Sequence, residues 1–349
     1  MKRMDENMPF LLKYENVAWY ADGAVRILDR RVFPERRFVT CRCYKEVAQA
    51  IHDMVTQSAG PYTALGMGMA LAAYEVRGKS EKEQLEYLKK AAFELSHSRP
   101  TTANRYGKIT DDCVKVAEKA LCEGIDPVCA IKEAAVESLN RRYGRMQLAG
   151  EALLKLIPEN GAILTQCYGE TIIGTLIQAA LNKGRKFRVY CAETRPYLQG
   201  ARLTASCFAE MGFDTTVLTD NMIAWAMENE GIDLFTSAAD TIARDGHIAN
   251  KVGTLQIAIL AQHFGMPYYV TGIPDSDKFS RDDIKIEMRD PAQVLEYRGI
   301  RTALPSVKAV YPAFDITPPE LIKAVVTDKG LYSPFELEDY FKGEQHRFY

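Results

Sequence analysis

The second half of the chain restricts the fold more than any other feature. From about Gly161, short apolar runs rich in β-branched residues follow one another: GAILTQC, FRVYCAE, TTVLTD, DLFTSAAD and YYVTG. Helical patterns separate most of them: ETIIGTLIQAALNKG, QGARLTASCFAEMG, NMIAWAMENEG and NKVGTLQIAILAQHFG. Parallel strands cannot be joined by a tight turn, because the chain must cross back over the sheet before it pairs again. The alternation therefore predicts a Rossmann-like α/β domain, a doubly wound parallel sheet with helices on both faces.

The first half reads differently. VAWYADGAVRILD holds Asp22-Gly23 between two apolar runs, a hairpin signal. YKEVAQAIHDMV carries Val47, Ile51, Met54 and Val55 at helical spacing. SAGPYTALGMGMALAAYEV is rich in small residues, which suits close helix packing or a loop that a ligand approaches. KEQLEYLKKAAFEL and DDCVKVAEKALCEG read as helices with charged faces, and no strand interrupts them. The predicted organisation is a mainly helical N-terminal domain with a short β-hairpin over 1–145, and a Rossmann-like catalytic domain over 146–349. A chain of 349 residues can bury such cores without metals or disulfide staples.

Charge and cysteine usage narrow the partners. Lys and Arg total 44 against 46 Asp and Glu, so the net charge of −2 gives no electrostatic case for nucleic acid or a membrane surface. No apolar run approaches the roughly 20 residues that span a bilayer, and MKRMDENMPF lacks the apolar core of a secretory signal. Eight scattered Cys in a long chain do not form a disulfide framework, so the expected compartment is the cytoplasm. Cys41-Arg-Cys43 has no second pair or His at finger spacing, and no metal is expected. GMGMA at Gly66–Ala70 is not G-x-G-x-x-G, and Walker A, H-E-x-x-H and G-x-S-x-G motifs are missing. Nicotinamide, ATP-driven, zincin and α/β-hydrolase chemistries are thus unsupported.

In an open parallel sheet the ligand sits beyond the carboxyl ends of the strands, where the strand order reverses. The segments to inspect are Gln166–Glu170, Glu193–Pro196, Asp220-Asn221, Ser237–Asp240 and Thr271-Gly272. Cys167 lies between a strand and a helix start, where amides and macrodipole lower a thiol pKa and supply a nucleophile, base or acid; the plainer reading is a small buried hydrophobe. Asp240 in a dry strand-end cleft would keep its proton at neutral pH and act as an acid; the plainer reading is a cap or turn residue. Asn250 and Lys251 open the run NKVGTLQIAILAQHFG, an anion site at a helix N-terminus or a solvated lysine. Arg99, in HSRPTTAN, clamps a phosphate or pairs on the surface.

These residues sit in runs that resemble a known family. CAETRPYLQGARLTASCFAEMGFDTTVLTDNMIAWAM and TSAADTIARDGHIANKVGTLQIAILAQHFGMPYYV are similar to the central signature of the methylthioribose-1-phosphate isomerases. These belong to the superfamily that holds the α, β and δ subunits of eukaryotic initiation factor 2B and ribose-1,5-bisphosphate isomerase. The likeness extends from VAWYADGAVRILDRRVFP to YPAFDITPPELIKAVVTDKG, and ETRPYLQGARLTA with PAFDITPPELI favours the isomerase branch. The resemblance implies an aldose–ketose isomerase of methionine salvage that acts without a cofactor. It implies a cytoplasmic homodimer whose ligand is a small sugar phosphate. It assigns Cys167 and Asp240 as catalytic, and Arg99, Gln199, Asn250 and Lys251 as substrate contacts.

Two departures fall at the expected pocket. Ser58-Ala59-Gly60-Pro61 stands where the isomerases have Arg-Gly-Ala-Pro, so Ser58, Ala59 and Gly60 occupy a substrate-contact position without its arginine. The segment after Cys167, YGETIIGTL, is shorter than in the isomerases and closer to the bisphosphate branch. Another phosphopentose (5-deoxyribose 1-phosphate or ribose 1,5-bisphosphate), or a non-catalytic regulatory role like that of the initiation-factor relatives, stands as the alternative. A nearby cation, Arg99, Arg105 or Arg195, is expected to replace the missing arginine.

Overall fold

The structure, a computed structural model, describes residues 3–99 and 103–342. It divides into two compact units between Gly144 and Arg145.

The first unit begins with α1 (Tyr14–Val17) and a three-stranded antiparallel sheet, β1 (Ala18–Ala21), β2 (Ala24–Leu28) and β3 (Phe38–Cys41), paired in that order. Asp22 and Gly23 join β1 to β2 with φ of 50° and 74°. This is the primed-turn geometry whose twist matches that of the flanking strands. Helices α2 (Tyr44–His52), α3 (Gly60–Glu75), α4 (Glu81–Ser96), α5 (Ala103–Cys122) and α6 (Pro127–Leu156) follow, and the division between the units falls within α6. Ser80 and Glu83 form a reciprocal capping box that starts α4. The small-residue run is helix α3, apolar on every side and buried almost throughout, so it is the central helix of its unit. A Cβ at Gly66 would stand 2.7 Å from that of Ala135 in α6, and one at Gly68 would stand 3.0 Å from Cγ1 of Val47 in α2. Glycine is what lets these helices approach.

The second unit carries the parallel sheet. Its strands are β4 (Ala162–Gln166), β5 (Arg188–Ala192), β6 (Thr215–Leu218), β7 (Leu234–Ala238), then β8 (Thr241–Ile242) and β9 (Ile248–Lys251) of a side sheet, and β10 (Tyr268–Thr271). Helices α7 (Glu170–Asn182), α8 (Ala205–Glu210), α9 (Ile223–Asn229) and α10 (Thr254–His263) alternate with them, and α11 (Ala292–Leu295) leads into the two-stranded β11 (Glu296–Tyr297) and β12 (Ile300–Arg301). The chain ends with β13 (Phe314–Thr317), β14 (Ala324–Thr327) and β15 (Gly330–Tyr332). The main sheet runs β15-β14-β10-β7-β4-β5-β6, parallel except for the edge strand β15. β4 is buried along its whole length and β5 and β7 over four of five residues, as strands covered on both faces must be. Counting the six parallel strands in chain order gives 3-2-1-4-5-6. The order therefore reverses between β4 and β7, and the ligand crevice of this topology lies outside their carboxyl ends.

One local reading is corrected. NKVGTLQIAILAQHFG does not open as a helix: Asn250 and Lys251 end strand β9, which pairs with β8 and with β13 in a three-stranded antiparallel sheet. Helix α10 starts only at Thr254, after Gly253 at φ 103°, where a Cβ would also fall 2.8 Å from Nε2 of Gln166. Pairing between distant segments, which periodicity along the chain does not register, decided these residues.

Candidate active site

The rim of the sheet at the reversal is built by successive ties. Cys167 follows β4 at φ 60°, a strained conformation for a non-glycine residue. Two contacts hold it: its N–H donates to Oγ1 of Thr194 at 3.0 Å, and its carbonyl accepts the Thr204 hydroxyl. Thr194 is itself fixed beyond β5, since Asp220, beyond β6, accepts the N–H groups of Thr194 at 2.8 Å and of Arg195 at 2.7 Å. The thiol therefore sits on a loop pinned across three strand ends.

Asp240 lies beyond β7, the strand beside β4, with its N–H donating to the carbonyl of Ala249 at 2.9 Å. β4 and β7 run parallel, so Cys167 and Asp240 share one edge of the sheet and flank the reversal. The dry cleft expected around Asp240 is not what this chain shows. Its side chain is exposed, because β7 ends at Ala238 and Asp240 stands in the turn to the β8–β9 hairpin.

Asn250 and Lys251 are both buried. The Asn250 amide donates to Oγ1 of Thr254 at 3.0 Å, and the Thr254 hydroxyl lies 2.6 Å from Oε1 of Gln166 and 2.7 Å from the Lys251 carbonyl. Gln166, the last residue of β4, donates through Nε2 to the Val252 carbonyl at 2.9 Å. The end of β4 and the turn after Lys251 are thus one hydrogen-bonded block. The Lys251 ammonium stands 4.7 Å from the centre of the Phe314 ring, a favourable cation–π position.

Gln199 is buried where a short π-helical turn begins, Gly200–Thr204. Such turns recur at functional sites. Gly200 is obligatory there, since a Cβ would fall 1.7 Å from the Ala192 carbonyl oxygen. The Gln199 carbonyl oxygen, Oε1, is buried and accepts no hydrogen bond from the protein.

The thiol electrostatics overturn the expectation of a lowered pKa. Burial dominates and pushes Cys167 up to about 11; Lys251 pulls it down, Asp240 pushes it up, and the Tyr168 amide and Arg289 pull more weakly. Helix α7 begins only at Glu170, and its own first residue is acidic. Desolvation therefore outweighs the helix N-terminus, and the resting group is a thiol. Cys167, Asp240, Lys251 and Arg289 thus share one electrostatic neighbourhood.

The structure thus gathers Cys167, Asp240, Gln199, Asn250 and Lys251 in the second unit. Ser58, Ala59, Gly60 and Arg99 belong to the first unit. Ser58 is exposed at φ 58°, Ala59 is the N-cap of α3, and Gly60 is its buried first residue. A Cβ at Gly60 would meet Oγ1 of Thr56 at 2.0 Å and Nη1 of the buried Arg30 at 2.7 Å. Arg99 is half-buried just beyond α4. Of the cations expected to replace the missing arginine, Arg195 is committed elsewhere. Its guanidinium donates to the carbonyls of Pro196, Val294 and Glu296 at 3.1–3.3 Å. Among the described residues no three His, Cys, Asp or Glu side chains group to hold a metal ion, and no helix is long and apolar enough to cross a membrane.

Three residues escaped the sequence reading. Asp315 in β13 accepts the N–H groups of Gly253 at 2.6 Å and Leu255 at 3.1 Å, and so caps α10. Arg289 and Tyr311 face each other near Cys167. PAFDITPP signalled a distinctive segment but not the partner of its aspartate.

The chain is similar to known proteins over most of its length. The model of the initiation factor 2 subunit family matches residues 59–334. Among curated relatives, the methylthioribose-1-phosphate isomerase of Desulforudis audaxviator is 37% identical over 337 residues, covering 90% of this chain and 94% of the relative. That of Fervidobacterium nodosum is 36% identical, covering 93% and 96%. Among solved structures, the 5-methylthioribose 1-phosphate isomerase from Pyrococcus horikoshii OT3 superposes with a TM-score of 0.79 at 30% identity, covering 95% of this chain and 98% of that one. The translation initiation factor eIF-2B subunit delta from A. fulgidus gives 0.77 at 30% identity, covering 91% and 96%.

Proposed function

The chain belongs to the initiation factor 2 subunit family and, within it, to the methylthioribose-1-phosphate isomerases, and from that membership and the rim geometry we infer that it is an aldose–ketose isomerase converting 5-methylthioribose 1-phosphate to the ribulose 1-phosphate. The observation that carries the reading is the placement of Cys167 and Asp240 beyond adjacent parallel strands at the reversal of strand order, with buried Lys251 acting on the thiol.

Phosphate on the anomeric oxygen blocks simple opening to a free aldehyde. We assign Asp240 as the acid that protonates the ring oxygen while the bond from that oxygen to carbon 1 breaks. The role needs an un-ionised carboxyl, and because Asp240 is exposed in the chain we assign its low-dielectric cover to the bound sugar. The hydrogen of carbon 2 then moves to carbon 1 and carbon 2 becomes the ketone. The proton of the carbon 2 hydroxyl returns to the Asp240 carboxylate, so the cycle closes without net gain or loss. A thiol that burial holds at about 11 is a poor base at neutral pH, which favours a direct hydride shift with Cys167 as a polarising neighbour over proton abstraction by thiolate. Gln199, Asn250 and Lys251 of the second unit are assigned to the phosphate and hydroxyls, so that binding energy serves orientation. The reading needs no cofactor or metal, and proposes a cytoplasmic homodimer that binds neither nucleic acid nor membrane.

The departure at Ser58-Ala59-Gly60 keeps a second reading, an isomerase of a related phosphopentose. One assay separates them. Purified protein is offered 5-methylthioribose 1-phosphate, 5-deoxyribose 1-phosphate and ribose 1,5-bisphosphate, and ketose formation is followed. Preferred turnover of the first supports the assignment, preferred turnover of either other substrate moves it, and no turnover of any returns the chain to a regulatory role.

A further inference from the structure

The segment that follows the α10–β10 unit brings a buried cation to the site that no motif announced. Met288 forms an antiparallel bridge with Pro312; around it the Arg289 N–H donates to the Tyr311 carbonyl at 2.9 Å and the Ala313 N–H donates to the Glu287 carbonyl at 2.8 Å. The Val252 N–H in turn donates to the Ala313 carbonyl at 3.2 Å. Residues 287–289, residues 311–313 and the end of β9 are therefore three consecutive extended segments. At the usual interstrand spacing of about 4.8 Å, the Arg289 backbone stands two steps from Lys251–Val252. Side chains alternate along such a segment: Met288 is 59% exposed, and the Arg289 side chain only 7%.

One side of the guanidinium is occupied and another is not. Nε pairs with Oε1 of Glu287 at 3.0 Å, and the group stands 5.5 Å from the centre of the Tyr197 ring, two residues before Gln199. Nη1 and the hydroxyl of Tyr311 are both buried, and neither has a partner of good hydrogen-bond geometry beyond the weak contact of the two groups with each other. A buried donor left unmade carries its full desolvation penalty, and more so on a charged group. Two such donors side by side, with the unpartnered Gln199 Oε1 in the same rim, describe a site complementary to an oxyanion bearing hydroxyl neighbours. Their bearing on the thiol agrees: Arg289 pulls Cys167 down, and Tyr311 responds to both Arg289 and Cys167.

We propose that Arg289, with the Tyr311 hydroxyl, binds the phosphate group of the substrate, opposite Lys251. This deepens the isomerase reading and rests on it. The chemistry fits: the planar fork of an arginine matches two phosphate oxygens. Glu287 cancels much of the Arg289 charge, so a dianion needs the second cation, and Lys251 is that cation. Three of the five guanidinium N–H groups of Arg195 already donate to backbone carbonyls, which leaves it less free to fork onto a phosphate.

The test uses the whole chain with Arg289→Met and Arg289→Lys, and inorganic phosphate as an independent probe. Loss of one charged hydrogen-bonding partner predicts a rise in KM of about 10- to 100-fold in Arg289→Met, with kcat changed much less. The inhibition constant for inorganic phosphate should rise in parallel; millimolar phosphate should raise the Tm of the wild type and leave that of Arg289→Met unchanged. Arg289→Lys should recover part of each. Unchanged KM and unchanged phosphate inhibition in folded Arg289→Met would overturn the proposal. A loss of kcat and of ligand-free Tm with phosphate binding intact would also overturn it, assigning Arg289 to the 287–313 ladder instead. If Arg289→Met does not fold, the phosphate response of Arg289→Lys and of Tyr311→Phe decides. If the wild type turns over none of the sugar phosphates, the isomerase reading has failed, while the phosphate-dependent Tm shift still tests Arg289.

Discussion

Gly169 stands against Ala238: a Cβ on the glycine would lie 2.8 Å from the Cβ of Ala238. Gly169 is the N-cap of α7, two residues after Cys167; Ala238 ends β7, two residues before Asp240. The end of β7 and the start of α7, on the two strand-end loops, thus approach closely where one of them has no side chain, between the thiol and the carboxyl.

Gly169→Ala should separate those loops. The backbone there is at φ −96° and carries no strain of its own, and a Cβ on a strand end cannot rotate away, so the extra methyl must displace backbone. Overpacking of this kind costs about 1–3 kcal/mol, and a displacement of tenths of an ångström at reacting groups lowers turnover. The expected outcome is a folded protein with kcat reduced about tenfold or more and KM less affected, read from steady-state kinetics beside a urea denaturation curve. Unchanged kcat would show that the contact is packing alone.

The state of the Cys167 thiol is open to direct measurement. Burial holds it up to about 11, so its alkylation by iodoacetamide should accelerate roughly tenfold per pH unit from pH 7 to above 9 without a plateau. Peptide mapping by mass spectrometry is needed, since Cys122 and Cys129 are exposed and react as well. Lys251→Met removes the largest charge that pulls the thiol down, and should slow the reaction further at any given pH. A plateau below pH 8 would instead identify a thiolate and favour the proton-transfer route.

The sheet was legible because β4, β5, β6, β7 and β10 are contiguous apolar runs set between helical patterns, a signal contained in the local sequence. The catalytic candidates followed from it, since Cys167 and Asp240 sit where such strands end. What the sequence concealed is what long-range pairing builds. β9 has four residues, half of them polar, and becomes a strand only because β8 and β13 flank it. Asp315 caps α10 from 62 residues away, and Arg289 reads as one charge in the polar stretch IKIEMRDP until residues 311–313 pair with it. The thiol electrostatics misled for a related reason: a helix start can be read from the sequence, whereas the degree of burial that outweighs it cannot.

Asp315 makes a prediction about stability. Burial raises its carboxyl from 3.8 to about 6, against the pull of the Gly253 and Leu255 amides and of Lys251. The folded protein thus binds this proton more tightly than the unfolded chain, so the linked stability is greatest below about pH 4 and falls as pH rises through about 6. The difference amounts to about 3 kcal/mol at most. Asp315→Asn cannot titrate. Subtracting its stability from that of the wild type, in urea denaturation from pH 4 to 8, should give a curve that declines over that window and is flat above it. A flat difference throughout would mean that the carboxylate is already ionised at pH 4.

Cys167→Ser and Asp240→Asn should each lower kcat at least about 100-fold, the aspartate as a lost general acid and the thiol as a lost polarising neighbour of the developing charge. The two groups flank one reversal point and act on one sugar, so their losses should not add: the double variant should be about as slow as the slower single one. Full activity in either variant would remove that residue from the chemistry. Running the wild-type reaction in deuterium oxide then separates the routes. Deuterium appearing at carbon 1 of the ketose requires a proton that left carbon 2 and exchanged, so it would restore Cys167 as a base. Product free of deuterium at carbon 1 is expected, because a half-buried thiol held near 11 has little thiolate with which to take that proton at pH 7, and a hydride moving between adjacent carbons never meets solvent.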